Sequence, residues 1–116
     1  MIIIAGTIDF DSAESRDRAI EIGRPLQQAT RDDEPGCAAY CFAPDPCVPT
    51  RIQVYELWDG EEALAAHFRH ENYRNMRDAL GRCGIVGADT NKYRCDRAEP
   101  VYDDGGAPRA DFFTGR

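Results

Sequence analysis

Arg51-Ile52-Gln53-Val54-Tyr55-Glu56-Leu57-Trp58 runs directly into Asp59-Gly60-Glu61-Glu62-Ala63-Leu64-Ala65-Ala66-His67-Phe68, and the change of pattern between the two decides the fold. The first run is strand-like: Ile52, Val54, Glu56 and Trp58 share one face, so a single carboxylate stands in a row of apolar side chains. The second reads as a helix that starts at Asp59 or Gly60, with Glu61 and Glu62 in its first turn, where negative charge suits the helix dipole. Leu64 and Phe68 share its apolar face. Tyr73, Met76 and Leu80 continue a helical stripe after a break near Asn72, and Gly81 and Gly84 stop it.

Working outward, the turn Glu34-Pro35-Gly36 opens another strand, Cys37 to Phe42, and Pro44, Pro46 and Pro49 break the chain before Arg51. Upstream, Ile2 to Phe10 alternate as a strand whose two faces are both apolar near its start. In a small antiparallel sheet with helices on one side, the second face is normally polar, so something must cover it, most simply a second copy of the sheet. Asp11 followed by Glu14 resembles a helix cap, and Ile20, Gly23, Leu26, Gln27 and Thr30 follow at helical spacing up to Pro35. Pro25 is expected to kink or divide that helix, because it lacks the amide hydrogen and crowds the preceding turn. Ile85 to Arg97 supplies a fourth strand. The order βαββαβ is that of an α+β, ferredoxin-like fold, with a domain over residues 1–98 and an extended C-terminal tail over 99–116. In that tail, Phe112-Phe113 either docks on the domain or on a partner subunit, or belongs to a disordered end.

Composition narrows the function classes. The chain has 116 residues, 42% apolar and 30% charged, enough for one compact domain with a modest core. With 21 acidic against 14 basic side chains the net charge is −7, which opposes attraction to a phosphate backbone, so nucleic acid is not an expected partner. Ile2-Ile3-Ile4-Ala5 lacks the basic start and length of a signal peptide. No segment approaches the roughly 20 apolar residues of a membrane helix, so no membrane association and a cytoplasmic location are expected. Five cysteines, Cys37, Cys41, Cys47, Cys83 and Cys95, form no CxxC pair and are read as reduced, mostly buried thiols, with Cys47 the most reactive.

The candidate chemistry gathers on β-strand and helix together. A carboxylate buried among apolar groups has its pKa raised, one route to an acid or base near neutral pH, and Glu56 is placed for that. Trp58 offers a flat wall. Helical geometry sets His67 about 60 degrees from Leu64, at the border of the apolar face, with His70 about 60 degrees further round; near-neutral imidazoles suit proton transfer. His67-x-x-His70-Glu71 could present metal ligands from one helix face, but no second cluster completes a shell, and no metal is expected. Gly-rich phosphate loops and nucleophile elbows are absent.

Val54-Tyr55-Glu56-Leu57-Trp58-Asp59, Glu61-Glu62-Ala63-Leu64 and Ala66-His67-Phe68, with Pro35-Gly36-Cys37 and Asn72-Tyr73, resemble the signature of the antibiotic biosynthesis monooxygenase family over roughly Ile2 to Arg97. The resemblance implies a homodimeric α+β barrel, two ferredoxin-like sheets face to face. It also implies oxygenation of quinols or polyketide-derived phenols by molecular oxygen with no flavin, haem or metal cofactor. On that reading His67 is the base, Glu56 orients or polarises, Trp58 and Phe68 line the substrate, and His70, Tyr73, Met76 and Tyr40 complete the binding site. Not all relatives are oxygenases. The alternatives are an isomerase of a small phosphorylated or carbonyl metabolite, or a binding module whose cavity is filled by Phe68, Tyr73 and Met76.

Overall fold

The computed structural model describes residues 1–115; Arg116, the end of the expected tail, lies outside the described residues. The chain runs β1 (Ile2–Phe10), α1 (Ala13–Asp33), β2 (Cys37–Pro44), β3 (Arg51–Trp58), α2 (Glu61–Arg69), α3 (Glu71–Gly81) and β4 (Ile85–Arg94). Its strands form one antiparallel sheet in the order β2-β3-β1-β4. This is the ferredoxin-like βαββαβ topology of an α+β protein, with the second helix delivered in two pieces. Among the described residues no helix is long and apolar enough to cross a membrane.

Register decides which side chains meet. Ile2, Ile4 and Ile8 of β1 lie opposite Trp58, Glu56 and Ile52 of β3. Because side chains alternate along each strand, all of these point to the side covered by the helices. Ile52 and Trp58 are fully buried there, with Ile2, Ile8, Phe10 and Val54 close to it. Burying a side chain of isoleucine size contributes about 1.5–3 kcal/mol. The opposite face carries Ile3, Ala5 and Thr7 against Leu57, Tyr55 and Gln53 on one side and Tyr93, Asn91 and Asp89 on the other. It is left open, with Tyr55 43% and Tyr93 52% exposed.

Several local expectations change. Ser12, not Asp11, caps α1: its Oγ accepts the Ser15 amide at 3.1 Å, while the Asp11 amide donates to the Gly84 carbonyl at 2.9 Å. Pro25 does not divide α1, which is continuous over 21 residues. Pro25 and Glu21 are both exposed, so the Glu21 carbonyl that loses its amide donor meets water instead of an apolar interior. The helix break falls at His70, which ends α2 and caps α3 by accepting the Asn72 amide on Nδ1 at 3.0 Å. Phe68 is not on the buried face of α2. It is 47% exposed, and Leu64 and His67 are the residues that face inward. Among the cysteines only Cys83 is buried; Cys47 is exposed, and Cys37, Cys41 and Cys95 lie between.

β4 stops at Arg94, and residues 96–115 form an irregular segment with one bridge between Tyr102 and Pro108. Glu99 accepts the amides of Phe113 and Thr114 at 2.9 and 3.0 Å. The guanidinium of Arg109 lies 4.9 Å from the centre of the Phe113 ring, and that of Arg97 lies 5.6 Å from the centre of Phe112. The two phenylalanines thus stack on arginines of their own segment.

Gly6 is where the sheet makes room. It pairs with Val54 on one side and Thr90 on the other, at φ +154°, and a Cβ there would run into the Asp89 carbonyl and the Thr90 Cα. The strands can approach only because no side chain intervenes, and the helix-side surface is left with a notch between Ile4 and Ile8. Gly6→Val is therefore expected to cost about 2 kcal/mol or more through backbone strain alone, measured as a lowered urea midpoint; an unchanged midpoint would show that β4 can shift away freely.

Candidate active site

The notch is the floor of a cleft of about 340 Å³ between the sheet and α3. Ile4, Ile8, Val54 and Thr90, the four residues around Gly6, all line it, with Tyr73, Met76 and Leu80 of α3 as its roof. That stripe recurs at helical spacing, which is why α3 presents all three to the sheet. Glu56 and Tyr40 stand at one end. Alternation along β3 puts Glu56 on this side, between Val54 and Trp58.

Glu56 is 7% exposed, and its Oε1 accepts the indole N–H of Trp58 at 2.9 Å. Desolvation pushes the carboxyl up to about 7; the Trp58 hydrogen bond opposes the rise, and the negative charge of Glu34 adds to it. Desolvation wins because one neutral donor replaces only part of the hydration a carboxylate loses. The group therefore exchanges protons near neutrality, and among the described residues no donor is bonded to Oε2.

His67 is the hub of a buried cluster behind this end of the cleft. Its Nδ1 lies 2.9 Å from Glu34 Oε1, and Glu34 Oε2 accepts from Asn72 Nδ2 at 3.2 Å. A carboxylate can only accept, so Nδ1 carries the hydrogen and Nε2 the lone pair. Burial lowers the imidazole pKa, with the Glu34 hydrogen bond and charge opposing. The ring lies 4.4 Å from that of Trp58 at 35° and meets Tyr40 and Tyr73 edge-on at 5.6 and 5.5 Å. Local sequence explains the meeting. Glu34 ends α1 and returns its amide to the Thr30 carbonyl at 3.2 Å, then Pro35-Gly36 turns the chain. Gly36 lies so close to Ala63 of α2 that a Cβ would collide with it, and this approach brings α2 against the end of α1.

The structure thus brings together Glu56, Trp58, His67, Tyr40, Tyr73 and Met76. Of these, Glu56, Tyr40, Tyr73 and Met76 line the cleft, whereas Trp58 and His67 stand behind them. The Tyr40 phenol is strongly raised by burial, then by Glu56 and Glu34, so it remains protonated. His70 lies outside the cleft, on a neighbouring groove shared with Asp33, Glu34, Trp58 and Ala66. Phe68 lies outside both, its ring edge-on to Tyr73 at 5.1 Å. Sequence reading missed Glu34 as the partner of His67 and Asn72 as the second donor to that carboxylate, since Glu34 served there only as a turn marker. It also left out Gly6, whose place inside an alternating strand was the available signal. Among the described residues no three His, Cys, Asp or Glu side chains converge as a metal-ligand set.

Fold and cleft together define the class: a ferredoxin-like α+β domain that holds one near-neutral carboxylate in an apolar cleft between sheet and helix. The chain belongs to the antibiotic biosynthesis monooxygenase family, whose profile matches residues 1–79. A solved family-named protein from Deinococcus radiodurans is similar at 26% identity, covering 89% of this chain and all of that one, with a TM-score of 0.77. Family-named structures from Caulobacter crescentus (18% identity, 84% and 90% covered, TM-score 0.73) and Nitrosomonas europaea (20%, 84% and 100%, 0.70) share the fold. No protein of curated function matches.

The raised Glu56 pKa has a stability consequence. The folded chain holds a proton that the unfolded chain has released, so the stability linked to Glu56 is fully present below about pH 4.5 and is lost as pH rises through about 7. Glu56→Gln keeps an oxygen for Trp58 and removes the titration. The variant is expected to match wild type near pH 4 and to exceed it at pH 8 by about 3 kcal/mol, at roughly 1.36 kcal/mol per pH unit between 4.5 and about 7, read from denaturant unfolding at both pH values.

Proposed function

We propose that the protein is a monooxygenase that oxidises quinols or aromatic phenols with molecular oxygen, the electron-rich substrate supplying the electrons. The observation that carries this reading is Glu56: a carboxylate poised near neutrality at the end of an apolar cleft, one oxygen fixed by Trp58 and the other free. The cleft also bears on the binding-module alternative, because Phe68 faces outward and Tyr73 and Met76 form a roof without filling the space.

In this mechanism Glu56 accepts the phenolic proton, and the phenolate passes one electron to oxygen. Superoxide and phenoxyl radical combine at a ring carbon, and the resulting peroxide takes the proton back from Glu56. Glu56 then removes the hydrogen on that carbon, its bonding pair closes the carbonyl, and the O–O bond breaks to release hydroxide. Hydroxide takes the proton from Glu56, so phenol and oxygen yield quinone and water. Trp58 positions the base. His67, the base implied by the family resemblance, is assigned a positioning role in this proposal: the Glu34 hydrogen bond fixes its ring, and the ring supports the indole.

Because the carboxylate form must accept the proton, kcat/KM is expected to rise with pH to a plateau above about 7. Oxygen uptake with a panel of quinols and phenols is expected to fall at least 100-fold in Glu56→Gln and less in His67→Ala. Turnover surviving in Glu56→Gln but not in His67→Ala would return the base to His67.

The assembly belongs to the same proposal. A second copy laid on the open face would cover Ile3, Ala5, Leu57, Tyr55 and Tyr93, giving a homodimeric barrel. Light scattering is expected to give twice the 13.0 kDa chain mass, and Tyr55→Glu, which sets a charge in the middle of that face, is expected to yield monomer.

A further inference from the structure

The cleft holds one positive charge. Apart from Glu56, two tyrosines and Thr90, its walls are aliphatic or aromatic, and among the described residues the only cation lining it is Arg77. Arg77 lies one helical turn beyond Tyr73 on α3, about 6 Å along the axis at 1.5 Å per residue, and its guanidinium sits 5.5 Å from the centre of the Tyr73 ring. Tyr73 in turn packs on His67, at the Glu56 end of the cleft. Arg77 thus starts one turn along α3 from the residue at the Glu56 end, and its guanidinium reaches back over the Tyr73 ring on the wall of the cleft.

The charge is largely unused by the protein itself. The nearest carboxylate is that of the adjacent Asp78, at 3.7 Å, with both side chains close to 60% exposed. An exposed pair of that length holds its cation loosely. The chain as a whole carries −7, so its long-range field repels anions and any attraction must be local. A guanidinium laid on an aromatic ring keeps its N–H edge free for a planar carboxylate, which it can bind with two parallel hydrogen bonds.

We propose that Arg77 is the anion anchor of the cleft, and that the ligand is an aromatic acid: a one- or two-ring phenol or hydroquinone whose hydroxyl reaches Glu56 while a carboxylate at its far end pairs with Arg77. This deepens, and rests on, the reading of the cleft as a phenol-oxidising site. A volume of about 340 Å³ lies at the small end of ligand pockets, about 300–1,000 Å³, and suits a molecule of that size. The acid and the cation serve different ends of the same ligand: Glu56 needs an apolar surrounding to be poised, and Arg77 stays at the wetter rim, where a charge costs little.

Calorimetric titration with 6-hydroxy-2-naphthoate and with 2-naphthol, which lacks the carboxylate, separates binding from turnover. Wild type is expected to bind the acid about threefold to fivefold more tightly than the naphthol, the scale of one partly exposed charge pair, with the gap narrowing in 0.5 M salt as screening grows. Arg77→Gln is expected to bring the acid down to the affinity of the naphthol, Arg77→Lys to recover part of the difference, and Arg74→Gln, on the same helix but off the cleft, to leave it intact. Equal binding of both compounds by wild type, no binding of the acid up to millimolar concentration, or a preference that survives Arg77→Gln would overturn the proposal. Oxygen uptake is scored separately. An Arg77-dependent preference without uptake of oxygen on any phenol supports the anchor and removes the monooxygenase reading; uptake confined to uncharged quinols overturns the anchor and keeps the oxygenase.

Discussion

A buried carboxylate at the end of α1 holds three helices to one corner of the sheet. Glu34 takes hydrogen bonds from His67 of α2 and Asn72 of α3, and the His67 ring packs at a tilt against Trp58 of β3. A charge buried this deeply is tolerable only when hydrogen-bonded. Leaving a buried donor or acceptor without its partner costs about 1–3 kcal/mol, more when it is charged. The arrangement is correspondingly specific: one acid, two oxygens, two donors from two different helices. It sets the position of α2 and the start of α3, and through them the roof of the cleft.

The cleft follows from a second constraint, the missing side chain at Gly6. Close approach of β1 and β4 at that point leaves a hollow that Ile4, Ile8, Val54 and Thr90 surround but do not fill. Glu56 stands beside this hollow with its pKa raised to about 7. The fold gives up stability to hold it there, since raising a carboxyl pKa by one costs roughly 1.36 kcal/mol once the group is ionised. A glutamine would satisfy Trp58 equally well. That a titratable group occupies the position is consistent with a site where proton transfer is needed, and opposition between stability and reactivity is a common mark of such sites.

Much of the fold was legible because it depends on short-range periodicity. Alternation placed Glu56 beside Trp58 on the inner face of β3, and the punctuation at Pro35-Gly36, Gly81 and Gly84 separated the elements. Reading failed where packing overrides local pattern. A hydrophobicity count on a nine-residue helix favours Phe68 over His67 for the interior. The helix instead turns His67 inward, because Glu34, thirty-three residues earlier, offers it a partner, while Phe68 is left exposed, in edge contact with the Tyr73 ring. The break at His70 has the same character, since a capping nitrogen is recognised only once the next amide is placed.

Sequence alone determined the order of elements, the buried face of the sheet, the family and the group of side chains from which a site could be drawn, since these rest on residue type and on periods of two and about 3.6. Tertiary structure alone decided which of them meet the cleft. Glu56 reaches it, His67 supports it from behind, Phe68 and His70 lie outside, and Arg77, an ordinary charged residue on a helix surface, lies on its wall. Those outcomes depend on contacts between elements far apart in the chain, and local spacing carries no record of them.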